Sequence, residues 1–135
     1  NRQDMFEVLK STVLLQKIHH LDPMALQPED ALTMACRGGA AAFGDESIGS
    51  IEAGKRADLV VVDLRSVFTA PVHRVPSALV FCASPANVTH VIVDGQILID
   101  DGRLTIVDED ALLHEAEESA RALWRRVGVS TQAAR

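Results

Sequence analysis

The chain has 135 residues, the size of one ordinary domain, and its 47% apolar content suffices for a real core. The net charge of −6 argues against nucleic acid or an anionic membrane as partner, and four Phe, one Trp and no Tyr offer few stacking platforms. No apolar stretch reaches the roughly 20 residues of a membrane-spanning helix.

Arg2, Asp4, Glu7 and Lys10 interrupt the apolar positions that a signal peptide would need, so none is expected. Cys36 and Cys82 are isolated, with no CxxC, and are expected to be buried thiols of a cytoplasmic protein.

Asp4 to Ile18 has helical period, with Phe6, Leu9, Val13 and Leu14 at spacings of three and four. Asp4 and Glu7 have the form of a capping box, and the helix should end near His19-His20, before Asp22-Pro23. Pro28, followed by Glu29 and Asp30, opens a second helix that Gly38-Gly39 should break. Ala40 to Phe43 continues it briefly, up to Gly44. The small residues here would allow close approach of neighbouring elements.

Gly49 and Gly54 frame a turn, and Ala57 to Val62 is a β-branched strand without alternation, so both its faces should be covered. Leu64 to Val75 is irregular, and Pro76 to Cys82 fits a short helix. Val88 to Val93 and Gln96 to Ile99 form a hairpin on Asp94-Gly95. Asp101-Gly102 offers a second turn before a strand at Arg103 to Ile106. Asp108 caps a last helix whose apolar stripe is Leu112, Leu113, Ala116, Ala120, Leu123, Trp124 and Val127, and Gly128 stops it. Residues 130–135 read as a frayed tail.

The chemistry-bearing residues do not assemble into a site. The histidines, His19, His20, His73, His90 and His114, contain no HxH or HExxH pair. His19 and His20 are adjacent, so they point about 100° apart on a helix and cannot clamp one ion. No GxSxG elbow or P-loop is present. Gly38-Gly39 suits packing better than an anion site. Arg37 has the reach to meet a carboxylate elsewhere in a larger fold. Lys55-Arg56, with Asp58 and Asp63 nearby, reads as a solvated turn, and Asp100-Asp101 as turn chemistry. No residue of this chain is therefore assigned as catalytic or as a metal ligand.

Four segments in order resemble the C-terminal part of the amidohydrolase superfamily. Asn1-Arg-Gln-Asp-Met-Phe-Glu7 resembles the stretch after the last catalytic barrel strand. Leu32-Thr-Met-Ala-Cys-Arg-Gly-Gly-Ala40 resembles a helix ending in a Gly-Gly-Ala turn. Ile48-Gly-Ser-Ile-Glu-Ala-Gly-Lys-Arg-Ala-Asp-Leu-Val-Val-Val-Asp63 is the most specific match, and Val88-Thr-His-Val-Ile-Val-Asp-Gly95 resembles the hairpin after it. The nearest branch is the chlorohydrolase and aminohydrolase group, with its S-adenosylhomocysteine/methylthioadenosine deaminases, atrazine-type chlorohydrolases, and guanine and 8-oxoguanine deaminases.

The resemblance implies an α/β fold: the last helices of a metal-dependent (β/α)₈ barrel, the C-terminal share of a small β-sandwich, and a terminal helix. A barrel alone needs about 250 residues. Residues 1–46 would be the barrel helices, 47–107 the sandwich part with its short helix near 76–82, and 108–135 the last helix and tail. The metal ligands, an HxH, later histidines and an Asp, would lie before Asn1. The intact enzyme would use one divalent ion, zinc or iron, to lower the pKa of a bound water toward about 7. The resulting hydroxide would attack a purine-like or triazine-like ring carbon and release ammonia or halide.

Asn1 would either edge the substrate pocket, since loops after barrel strands line the active face, or only shape the approach to the first helix. Partners expected on this reading are the missing barrel and sandwich strands, a small heterocyclic substrate and further copies of the enzyme. The rival readings are a stand-alone non-catalytic binding module and a cyclic-amide hydrolase of the same superfamily.

Overall fold

Helix α1, Met5–His20, begins where Asp4 turns its carboxylate back on the chain. Its Oδ1 accepts from the Phe6 N–H at 3.0 Å and the Glu7 N–H at 3.3 Å, satisfying two donors that no helical carbonyl can reach. The helix ends on Leu21, held in the left-handed region at φ 51°, whose N–H returns to Ile18 and Lys17 carbonyls. This computed structural model describes residues 3–128, which group into two units dividing after Arg103. The architecture is α/β.

Helix α2, Pro28–Thr33, starts at Pro28 as expected, with the Asp30 carboxylate accepting from the Gln27 N–H at 3.0 Å. Gly38-Gly39 does not break the helical run. Met34–Gly38 forms one π-helical turn, and α3, Gly39–Phe43, continues it to Gly44 at φ 69°. Gly38 and Gly39 hold helical dihedrals of φ −63° and −60°. A glycine costs a helix only about 1 kcal/mol. The alanines on either side, with Ala31 and Ala40 buried, offset that cost and carry the helix through.

The core is small and helical. Leu9 and Val13 of α1 meet Ala31 of α2 and Val80 of α4, Val75–Phe81, with Leu26, Leu32, Ala35 and Phe81 packed around them. Helix α4 thus packs in the helical layer, against α1 and α2. Much of α1 stays uncovered: Met5, Val8, Leu14, Leu15 and Ile18 are exposed, the last two at 63% and 68%.

The sheet has the order β1-β2-β3-β4, with β1 Leu59–Val62, β2 Val88–Val93, β3 Gln96–Asp100 and β4 Arg103–Leu104. Strands β1 and β2 pair antiparallel, Val60 opposite Val91, and β2 pairs antiparallel with β3, Val93 opposite Gln96. The hairpin turns on Asp94 and Gly95 at φ 51° and 79°, both left-handed, as a two-residue connection matched to strand twist requires. Strand β4 is shorter than the sequence suggests. Strand β1 also departs from expectation: Val60 and Val61 are 58% and 47% exposed. Only β2 pairs with it, and among the described residues nothing covers these side chains.

Both thiols are exposed rather than buried. Cys36 lies on the π turn and Cys82 caps the end of α4, positions set by backbone geometry and not by apolar packing. The second unit carries α5, Glu109–Val127, capped by Asp108 accepting from the Ala111 N–H at 3.1 Å and ended by Gly128 at φ 72°. None of its residues is buried. Among the described residues no helix is long and apolar enough to cross a membrane. The expected tail at 130–135 lies outside the described residues.

Candidate functional site

The chain joins its helical layer to its sheet through the loop between α3 and β1, and charge concentrates there. Asp45 accepts from Ser47 twice, from the N–H at 2.8 Å and the hydroxyl at 2.6 Å. Those bonds, led by the hydroxyl and helped by Arg56, hold its carboxyl below the ordinary value of 3.8. Arg56 reaches Asp45 at 3.7 Å and Asp94 of the hairpin turn at 3.0 Å, and its N–H donates to the Ser47 carbonyl at 2.9 Å. One guanidinium therefore links three segments distant in sequence. The Asp94 N–H donates to Asp58 Oδ1 at 2.6 Å. The sequence suggests Asp58 and Asp63 as the carboxylates around Lys55-Arg56; the partners of Arg56 are instead Asp45 and Asp94.

Beside this link the π turn presents Arg37 outward. Its guanidinium meets Glu52 at 3.7 Å, and Lys55 approaches the same carboxylate at 3.9 Å. The Ser50 hydroxyl, then Lys55 and Arg37, hold the Glu52 carboxyl below its ordinary 4.5. Arg37, Asp45, Glu46, Glu52 and Lys55 border an open cleft of about 530 Å³. Gly49, between the lining residues Ile48 and Ser50, packs against the helical run. At φ +84°, a Cβ there would lie 2.7 Å from Ala40 Cβ and 2.8 Å from the Cys36 carbonyl oxygen. The close approach expected of the small residues occurs here, not at Gly38-Gly39, where a Cβ would meet nothing within 4 Å.

At this cleft Arg37 and Lys55 share Glu52, and Asp45 pairs with Arg56. Among the described residues no three His, Cys, Asp or Glu side chains gather as metal ligands, so they do not fit a divalent ion. His19 and His20 touch edge to face at the end of α1. His90 meets Asp100 across the hairpin at 3.1 Å, and His114 meets Glu118 along α5 at 3.5 Å. Asn1 lies outside the described residues. The adjoining start of α1 borders a shallow groove of about 380 Å³ with Phe6, Lys10, Leu14 and Phe81, where Lys10 donates to the Phe81 carbonyl at 3.2 Å. Arg37 does find its carboxylate, but the roles of Arg56 and Asp45 are not visible in the sequence. Their partners lie too far along the chain for local patterns to reveal.

Among the described residues a helical layer is tied by a glycine-framed loop to a β hairpin unit, and no metal-ligand cluster is present. The profile of the Amidohydrolase family matches residues 1–98, and the chain belongs to that family. It is 39% identical over 127 residues to a 5′-deoxyadenosine deaminase of Methanosarcina mazei, covering 94% of this chain and 29% of the relative. It is 36% identical over 126 residues to a 5-methylthioadenosine/S-adenosylhomocysteine deaminase of Pelotomaculum thermopropionicum, covering 93% and 29%. The fold superposes on an adenosine deaminase from Xanthomonas campestris with bound zinc at a TM-score of 0.81 and 38% identity, covering 84% of this chain and 26% of that one. The chain thus spans under a third of the length of these proteins.

Proposed function

We propose that this chain is the C-terminal portion of a metal-dependent aminohydrolase that removes ammonia from a purine-like ring, with a 5′-substituted adenosine as substrate. The observation that carries the reading is the deaminase likeness along almost the whole chain. The bare apolar surface supports it. Helix α1 leaves Met5, Val8, Leu14, Leu15 and Ile18 exposed, an apolar surface that a larger protein would cover.

In this reading residues 1–46 are the last barrel helices, 47–107 share a β-sandwich with upstream strands, and 108–135 finish the domain. The upstream barrel and strands cover α1 and β1. Zinc or iron is held by residues before Asn1, and no step of the reaction is assigned to a side chain of this segment. Asn1 borders the substrate pocket, because by resemblance it belongs to the stretch after the last barrel strand, and such loops line the active face. The task of the present residues is to hold that barrel closed, through the Gly49 contact and the Arg56 link.

The test is turnover by the protein extended upstream through its barrel, read as ammonia from a nucleoside, chloride from a chlorotriazine and ring opening of a cyclic amide. The substrates are 5′-deoxyadenosine, methylthioadenosine, S-adenosylhomocysteine, a chlorotriazine and a cyclic amide. Release from the three nucleosides alone is expected. Turnover of only the triazine or only the cyclic amide would overturn the substrate assignment.

A further inference from the structure

Helix α5 carries an apolar stripe that no described residue of its own unit covers. Leu112, Leu113, Leu123 and Val127 are more than half exposed, and Trp124 is 41% exposed. Ala116 and Ala120 lie on the same stripe at its middle. Acidic and basic residues divide along the helix. Glu109, Asp110, Glu115, Glu117 and Glu118 occupy the first half, and Arg121, Arg125 and Arg126 the second. The helix dipole accounts for Glu109, Asp110, Arg125 and Arg126, which sit in the terminal turns. It does not account for Glu115, Glu117, Glu118 and Arg121, which sit beyond its reach.

At about 100° per residue, Glu117 and Arg121 flank one side of the stripe, and Glu115 and Arg126 the other. We propose that α5 pairs with α5 of a second copy, antiparallel, about a two-fold axis near Ser119-Ala120. An antiparallel pair sets each flank against the same flank of its mate with direction reversed. Glu117 then lies within a turn of the second copy's Arg121, and Glu115 within a turn of its Arg126. Each opposite-charge contact occurs twice. Glu117 and Arg121 already bond along the helix at 2.8 Å, so the two copies close a four-membered network. Small Ser119, Ala116 and Ala120 at the axis let the backbones approach, and Leu112 faces Val127 at each end. A parallel pair would place acid on acid and base on base, which this charge division disfavours.

The test is sedimentation equilibrium of the protein and two charge-swapped variants, Glu115→Arg with Glu117→Arg, and Arg121→Glu with Arg126→Glu. These side chains are exposed, and circular dichroism checks that both variants stay folded. The wild-type protein should dimerise, and each variant alone should lose affinity about a hundredfold or more, since like charges then face each other. An equimolar mixture should recover the dimer, because every swapped contact is again opposite in sign. Either of two results overturns the proposal: a wild-type monomer at every concentration with Trp124 emission already shielded, which places the stripe against its own chain, or variants that dimerise like the wild type.

Discussion

Replacing Gly49 by Ala tests how the helical layer and the loop before β1 are joined. The new Cβ would lie 2.7 Å from Ala40 Cβ, 2.8 Å from the Cys36 oxygen and 3.3 Å from the Cys36 carbonyl carbon. Two of these neighbours are backbone of the helical run and cannot swing aside. The residue also sits at φ +84°, where an L side chain costs about 1–2 kcal/mol. Overpacking adds about 1–3 kcal/mol, for a total of about 2–5 kcal/mol. Against a native stability of about 5–15 kcal/mol that is a large fraction. Urea unfolding of the 135-residue chain, followed by far-ultraviolet circular dichroism, should show the midpoint fall by about 1–2 M with an unchanged slope. Gly39→Ala is the internal control. Its φ is −60°, a Cβ there meets nothing within 4 Å, and alanine should leave stability unchanged or raise it by up to about 1 kcal/mol. A Gly49→Ala midpoint equal to the wild type would refute the close approach.

Asp94→Asn keeps the left-handed turn but removes the charge that Arg56 meets at 3.0 Å, so it should cost about 0.5–1 kcal/mol. A double-mutant cycle with Arg56→Ala giving no coupling would disprove the link. Acid should weaken the fold. Glu29, bonded by its own backbone N–H and Arg74, and Asp63, bonded by Arg65, share the lowered carboxyls of Asp45 and Glu52. Groups lowered on folding contribute stability above their ordinary values, 4.5 for Glu and 3.8 for Asp, and lose it as pH falls through the folded ones. The urea midpoint should therefore hold between about pH 7 and 5 and decline below about 4.5; an equal midpoint at about pH 3 would contradict this. Leu21 is 89% exposed and left-handed, so Leu21→Gly should raise stability by about 1 kcal/mol, read as a higher melting temperature, and a lower one would count against the strained cap.

Where local chemistry decides, the elements were legible in the sequence. Asp4, Pro28, Asp108 and Gly128 mark helix ends through their own side chains or backbone freedom, and Asp94-Gly95 marks its hairpin the same way. The errors fall where an outcome depends on distant packing. Gly38-Gly39 reads locally as a break, yet buried Ala31 and Ala40 hold the run together. Val60 and Val61 read as doubly covered because their composition suits the whole fold, while the described residues supply a cover for neither. The family was readable from four motifs in order. The join at Arg56 was not, because 38 residues separate it from Asp94.

If the metal chemistry of this enzyme lies outside these residues, metal content will show it most directly. The measurement compares, after dialysis, the 135-residue chain with the protein extended upstream through its barrel. No retained metal is expected in the first and one zinc or iron per chain in the second. One tightly held equivalent in the shorter chain would contradict the assignment.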